Sequence, residues 1–214
     1  MSTAISAALS AMPLVAILRG LTPDEAVDVG EALVGAGFNC LEVPLNSPDP
    51  LVSIRRMRDA LEGRAFVGAG TVLNVEAVKA VADAGGQLVI SPNTNAEVIG
   101  ATKTAGLFSM PGFFTPSEAF AALDAGADVL KLFPAELAGP AGLRAVRAVL
   151  PSTAAVYAVG GVEPGNVRTW LDAGAAGFGI GSALFKPGRS ARDVAEAAEA
   201  FVAAMRSQMA DRGA

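Results

Sequence analysis

Lys131 is the residue of this sequence that is best placed to act as a nucleophile. It interrupts the apolar, β-rich run VLKLFP at positions 129–134, whereas the other three lysines lie in helical or loop contexts. In a strand, Lys131 shares one face with Val129 and Phe133. If that face is a core, burial lowers the pKa of the ammonium, and the neutral amine can attack a ketone. The alternative is a lysine that faces outward or extends along the sheet to its rim.

Glu42 is a second ionisable residue inside an apolar run, CLEVPLN at 40–46. Alternation along a strand places its side chain on the same face as Cys40 and Pro44. A carboxylate buried there without a partner is costly. A general acid and base acting beside Lys131 would account for it, and an ion pair with Arg19 or Lys131 is the alternative.

Several predicted strand ends carry groups suited to binding an anion. Arg19 ends the first β-rich run with a planar fork for a carboxylate, and Thr71 ends the segment GAGT with a hydroxyl donor. Two glycine-rich ends follow later in the chain, GG at 160–161 and GIGS at 179–182. Backbone N–H groups at such strand ends bind phosphate in α/β barrels, although glycines there can also relieve crowding. Two adjacent glycine-rich ends favour a phosphate site.

The composition excludes several kinds of chemistry. The chain has no histidine and a single cysteine, Cys40, which excludes Ser-His and Cys-His nucleophiles, an internal disulfide and a cysteine metal cluster. Acid and base steps are left to carboxylates, lysines and Tyr157. The net charge of -5, without a basic run, argues against nucleic acid as a partner. A metal site would have to consist of oxygen ligands alone, and an anionic ligand must be held by local groups such as amide dipoles.

The elements that must position these residues are eight β-rich runs separated by helical stretches. The runs occupy 14–20, 40–46, 65–71, 87–93, 107–113, 129–135, 155–161 and 177–183. Glycines before several runs indicate helix ends, and the segments TPDE at 22–25, NVE at 74–76 and TPSE at 115–118 indicate helix starts.

Alternating strands and helices can form an open doubly wound sheet or a closed barrel. Eight units favour the closed (β/α)₈ TIM barrel, and 214 residues predict one domain over 1–214. In such a barrel the functional residues lie at the C-terminal ends of the strands. No apolar run reaches the roughly 20 residues of a membrane span, and no basic leader precedes the apolar N-terminal stretch. A cytoplasmic protein without membrane contact is therefore expected.

As an ordered set, the strand-end motifs resemble those of the class I aldolases of the 2-keto-3-deoxy-6-phosphogluconate and -galactonate group. The resemblance runs across nearly the whole chain. The segments that carry it are ILRG at 17–20, LEVPLNSP at 41–48, VGAGTVL at 67–73, ISPN at 90–93, MPG at 110–112, LKLFPAE at 130–136, AVGGV at 158–162 and GIGSAL at 179–184.

This resemblance implies roles for particular residues. Lys131 is expected to form a Schiff base, and Glu42 is expected to transfer protons through a water molecule. The residues expected around the pyruvate half of the substrate are Arg19, Thr71, Pro92 and Phe133. The residues expected to bind the phosphate are Gly160, Gly161, Gly181 and Ser182.

Within the group, the segment AVGG at 158–161 and the segment PLNSP after Glu42 resemble the galactonate type, since the gluconate type carries PTGG. The implied reaction is the reversible cleavage of 2-dehydro-3-deoxy-6-phosphogalactonate to pyruvate and glyceraldehyde 3-phosphate, and it uses no metal and no cofactor. The gluconate epimer is the alternative substrate, and Val159 is expected to lie near the middle carbons. The resemblance also implies a homotrimer. The competing hypotheses are a phosphosugar isomerase or epimerase on the same barrel and a non-catalytic phosphometabolite-binding protein.

Overall fold

Nine parallel strands form one sheet in the computed structural model, which describes residues 2–213 and the side chains of residues 3–210. Every strand lies within one of the predicted β-rich runs. The strands are β1 Leu14–Ile17, β2 Cys40–Pro44, β3 Phe66–Gly70, β4 Leu88–Ile90, β5 Phe108–Met110, β6 Gly112–Phe113, β7 Leu130–Leu132, β8 Val156–Val159 and β9 Gly177–Ile180.

The sheet closes on itself at the fifth predicted run. The strand order is β5-β4-β3-β2-β1-β9-β8-β7-β6, so β5 and β6 stand at its two ends. Only Pro111 separates these two strands, and its ring lacks the N–H that a continuous ladder requires. Its carbonyl still accepts the N–H of Lys131 at 2.9 Å. β5 and β6 are thus two pieces of one barrel strand, and the predicted closed (β/α)₈ barrel is confirmed.

Helices surround the sheet and connect its strands. They are α1 Ser2–Ala11, α2 Ala26–Ala36, α3 Pro50–Ala60, α4 Val75–Asp83, α5 Ala96–Thr104, α6 Pro116–Asp124, α7 Ala135–Arg147, α8 Val167–Asp172 and α9 Ala191–Gly213, with a 3₁₀ turn at Pro164–Asn166. None of the helices within residues 2–213 combines the length and apolarity that a membrane crossing demands.

Two of the three predicted helix starts are confirmed. The side chain of Asn74 accepts the N–H of Ala77 at 2.8 Å, and Thr115 forms a capping box with Glu118. The start predicted at 22–25 is wrong, because α2 begins at Ala26. The N–H and hydroxyl of Thr22 instead donate to Oε1 of Glu25, which closes a turn ahead of the helix.

The N-terminal end of the barrel interior is filled by apolar side chains. Alternate residues of the strands contribute to this cluster, which contains Val15, Cys40, Leu88, Ile90, Phe108, Met110, Val129 and Tyr157. Ile5 and Leu9 of α1 belong to the same cluster, so α1 closes this end of the barrel. Because Glu42 and Lys131 each follow a member of the cluster by two residues, they point into the barrel one level nearer its C-terminal end.

Candidate functional site

A cavity of about 670 Å³ opens at the C-terminal ends of the strands. The residues that sequence analysis selected come together here, although they are spread over most of the chain. Those that line the cavity are Arg19, Thr71, Pro92, Lys131, Phe133, Val159, Gly160, Gly161, Gly181 and Ser182. Glu42 is buried and interacts electrostatically with Lys131 and Arg19.

Lys131 lies on β7 with its side chain in the floor of the cavity. Only 5% of the residue is exposed, and its Nζ lies 4.9 Å from the centroid of the Phe133 ring. Burial lowers the pKa of the ammonium, and the positive charge of Arg19 lowers it further, while Glu42 opposes both effects. The outward-facing alternative is therefore wrong. A buried lysine with a lowered pKa has the properties of an amine nucleophile.

Glu42 lies on β2 and is 1% exposed. Burial raises the pKa of its carboxyl group to about 7, even though the charges of Lys131 and Arg19 act to lower it. Its Oε2 atom has no hydrogen-bond partner among the described residues. A carboxyl group with this pKa and an unpaired oxygen can both accept and release a proton near neutral pH.

The space for the Glu42 carboxylate depends on Gly70 of β3. These strands pair in parallel with Glu42 opposite Gly68 and Pro44 opposite Gly70. A Cβ atom at Gly70 would overlap the Glu42 carboxylate. The segment GAGT therefore includes a glycine that the neighbouring acid requires, in addition to the threonine at its end.

Thr71 adopts a strained backbone conformation beside the cavity. Its φ is 55°, which is uncommon for a β-branched residue. The next residue holds the segment in place, because the N–H of Val72 donates to Ile90 at 3.3 Å and its carbonyl accepts the Ser91 hydroxyl at 2.8 Å. Such outliers are found where the surrounding structure fixes a functional group in position.

Arg19 occupies one side of the cavity. Its Nη1 atom donates to Oδ1 of Asn46 at 3.0 Å, and the N–H of the following Gly20 donates to Oγ of Ser47 at 2.9 Å. Its guanidinium charge influences the pKa values of both Glu42 and Lys131. Arg19 therefore supplies a positive charge close to the two buried ionisable groups.

The ends of β8 and β9 form another part of the wall. Gly160 and Gly161 have φ values of 109° and 68°, in the left-handed region that favours glycine. A Cβ atom at Gly160 would also overlap the carboxylate of Glu136. Exposed Ser182 follows β9 on the same wall. Both glycines are thus required by local geometry as well as being suited to close approach of a ligand.

Sequence analysis did not select several residues that line the cavity. They include Ile17, Glu163, Phe185 and Lys186. Lys186 is exposed and follows the GIGSAL segment by two residues, so its proximity to a glycine-rich strand end was a usable signal. Ile17 precedes Arg19 by two residues, and strand alternation alone predicts that both face the same side.

Comparison with known proteins identifies the family. The KDPG and KHG aldolase family matches residues 5–199 of this chain. The 2-dehydro-3-deoxy-6-phosphogalactonate aldolase of Escherichia coli K12 is 50% identical over 195 residues, which cover 91% of this chain and 95% of that protein. The family match spans the barrel and all of the strand ends that line the cavity.

Solved structures agree with this assignment. The structure of native KDPGal has a TM-score of 0.91 at 49% identity and covers 92% of this chain and 96% of its own. A KDPG aldolase from Legionella pneumophila, with pyruvate captured at low pH as a covalent carbinolamine intermediate, has a TM-score of 0.82 at 26% identity and covers 92% of this chain and 97% of its own. With its closed barrel and its buried lysine and acid, the chain belongs to the KDPG and KHG aldolase family and is a carbon–carbon lyase.

Proposed function

We propose that this chain cleaves 2-dehydro-3-deoxy-6-phosphogalactonate reversibly to pyruvate and glyceraldehyde 3-phosphate, through a Schiff base on Lys131. The observation that carries the proposal is the buried Lys131 amine, with a lowered pKa, in the floor of a cavity beside Glu42. The similarity to the E. coli galactonate enzyme supports the choice of substrate. Trapping with pyruvate and borohydride, followed by peptide mass mapping, tests the covalent step.

The reaction begins when the neutral Lys131 amine attacks the C2 ketone to form a carbinolamine. Loss of water gives an iminium, which accepts the electron pair of the C3–C4 bond as that bond breaks. Glu42 accepts the proton of the C4 hydroxyl, through a water molecule, and glyceraldehyde 3-phosphate leaves. The resulting enamine takes a proton at C3 from the Glu42 carboxyl, and hydrolysis of the iminium releases pyruvate and the free amine. The iminium is the electron sink, so the bond cleavage requires no metal.

The two ends of the substrate bind to different parts of the cavity. The carboxylate of the pyruvate half lies beside Arg19 and Thr71, with Pro92 and Phe133 against its carbon atoms. The phosphate lies against the backbone N–H groups of Gly160, Gly161, Gly181 and Ser182. Backbone dipoles can bind this anion although the whole chain carries a net charge of -5.

Val159 is proposed to contribute to the choice between the two epimers, which differ at C4. It is 5% exposed, lines the cavity and directly precedes Gly160. With C2 bound to Lys131 and the phosphate bound at Gly160 and Gly161, the proposal puts Val159 near the middle carbons of the substrate. Val159→Thr introduces a hydroxyl that can hydrogen-bond the substrate. A hydrogen bond contributes about 0.5–1.5 kcal/mol, so we expect the ratio of kcat/KM values to move by up to about tenfold towards the gluconate epimer.

Steady-state kinetics with both phosphorylated acids check this prediction. Val78→Thr is the matched control, because Val78 is 2% exposed but lies in α4 and does not line the cavity. If the unaltered chain prefers the gluconate epimer, the choice of substrate is incorrect. An unchanged ratio in Val159→Thr places the selectivity elsewhere in the cavity.

A homotrimer acting in the cytoplasm is proposed for the assembled protein. Large apolar side chains are exposed where strands lead into helices, including Leu73 at 51%, Phe114 at 45% and Leu137 at 75%. Contact with other subunits would remove such side chains from water. We expect sedimentation velocity at micromolar concentration to give a single species of three times the chain mass. A monomer as the main species would reject the trimer.

A further inference from the structure

Two consecutive residues after β2 contact two consecutive residues after β1. Asn46 accepts from the Arg19 guanidinium at 3.0 Å, and Ser47 accepts from the Gly20 N–H at 2.9 Å. One hydrogen bond holds the side chain of Arg19 and the other holds the backbone next to it.

The backbone of this segment also lies close to Pro187. Gly20 has a φ of 86°, and a Cβ atom there would lie 2.7 Å from Cγ of Pro187. Ser47 is 8% exposed, so its hydrogen bond to Gly20 is shielded from water. The backbone position of Arg19 is therefore fixed, and the freedom that remains lies in its long side chain.

The chemistry of Asn46 suits the task of directing that side chain. Its amide oxygen is neutral and engages Nη1, which leaves the other N–H groups of the guanidinium for a second acceptor. A carboxylate at position 46 would neutralise the charge that attracts an anionic ligand. Arg19 is exposed, so without a fixed acceptor its rotamers would be populated more evenly.

We propose that Asn46 is a positioning residue, which holds the Arg19 guanidinium in the orientation that binds the carboxylate of pyruvate. The inference rests on the proposed function, because it requires a keto-acid whose carboxylate meets Arg19. Asn46 acts through Arg19, so its effect is confined to the pyruvate half of the substrate. The aldehyde that carries the phosphate binds at the other end of the cavity and is unaffected.

Kinetics in the synthesis direction test the proposal, because pyruvate and glyceraldehyde 3-phosphate then have separate KM values. We expect Asn46→Ala to raise the KM for pyruvate on the order of tenfold, with the KM for the aldehyde and kcat within about twofold of the unaltered chain. Asn46→Asp should raise the KM for pyruvate further, because its carboxylate pairs with Arg19 and repels the substrate. Asn74→Ala is the matched control, because Asn74 is exposed, caps α4 and does not line the cavity, and it should change none of these values.

A double-mutant cycle with Arg19→Ala separates an indirect from a direct role. If Asn46 acts through Arg19, adding Asn46→Ala to Arg19→Ala causes no further rise in the KM for pyruvate. The proposal is overturned if Asn46→Ala has its full effect in the Arg19→Ala background, or if the KM values for pyruvate and the aldehyde rise together. Thermal unfolding of each variant verifies folding. Asn46→Leu, which has neither an acceptor nor a charge, serves in the cycle if Asn46→Ala does not fold.

The same preparations distinguish failure of this inference from failure of the proposed function. Absence of a pyruvate adduct on Lys131 in the unaltered chain rejects the Schiff-base reaction itself. An adduct in the unaltered chain, together with an unchanged KM for pyruvate in Asn46→Ala, rejects only the role of Asn46.

Discussion

Lys131→Ala is expected to abolish both the borohydride-trapped pyruvate adduct and the cleavage of substrate. The unaltered chain should take up one adduct per chain, located on Lys131, because this residue brings a buried amine with a lowered pKa into the cavity lining. Without the amine no iminium forms, and we expect kcat to fall by at least about 10⁴-fold. Peptide mass mapping and a coupled assay for pyruvate measure the two effects.

Two controls accompany this experiment. Lys79→Ala removes an exposed lysine of α4 that pairs with Asp83 and does not line the cavity. This variant should leave trapping and cleavage unchanged. A metal chelator should also leave activity unchanged, because the proposed mechanism uses the iminium as its electron sink. An adduct on another lysine, or full cleavage by Lys131→Ala, would falsify the Schiff-base assignment. Activity lost with chelator and restored only by a divalent metal would indicate metal-dependent cleavage instead.

Glu42→Gln is expected to fold and to form the trapped adduct, yet to lose about 10²–10⁴-fold in kcat. The amide has nearly the same shape as the carboxyl group and fits the space beside Gly70. It cannot accept the proton of the C4 hydroxyl. Single-turnover trapping together with steady-state cleavage separates these two steps, and Glu62→Gln, at an exposed position, is the control. Turnover close to that of the unaltered chain would mean that Glu42 has only a structural role.

The pKa of Glu42 also predicts how activity depends on pH. The proposed mechanism requires the ionised carboxylate for cleavage, and burial raises the pKa of this group to about 7. We therefore expect kcat/KM for cleavage to rise with pH through about 7, and the neutral amine of Lys131 has the same requirement. Glu42→Gln should lack the part of this rise that belongs to the carboxyl group. An identical pH profile in the variant would assign the rise to Lys131 alone.

The free energy of unfolding should depend on pH in the opposite direction, because the contribution of Glu42 to it falls as the pH rises. The folded-state pKa of Glu42 lies above its ordinary value of 4.5, so the folded chain binds more protons than the unfolded chain between pH 4.5 and about 7. Each pKa unit corresponds to about 1.4 kcal/mol, so the contribution of Glu42 to the unfolding free energy should fall by roughly 3 kcal/mol across this window. Glu42→Gln should gain stability relative to the unaltered chain as the pH rises. Denaturant titrations at pH 4.5 and pH 8 measure this difference.

Local patterns in the sequence were sufficient to identify the barrel and most of the cavity lining. An isolated charge within an apolar run, as at Lys131 and Glu42, is detectable without coordinates because it conflicts with the surrounding hydrophobicity. Helix caps such as Asn74 and Thr115 are also local, since the side chain and the N–H it binds lie within three residues. The recurrence of eight β-rich runs separated by helical stretches indicated the fold class. The ordered motifs at the strand ends indicated the family.

Properties that depend on contacts between distant segments were decided only by the tertiary structure. Whether Lys131 and Glu42 faced inward depended on the side of each strand that the helices covered, and their pKa values follow from that burial. The residue type of Thr71 does not indicate its positive φ. The residue types of Arg19 and Asn46 likewise do not indicate that their side chains form a hydrogen bond. The sequence by itself determined which side chains were available and on which strand ends. Closure of the barrel decided their burial, charge state and mutual orientation, because these depend on neighbours that lie far apart along the chain.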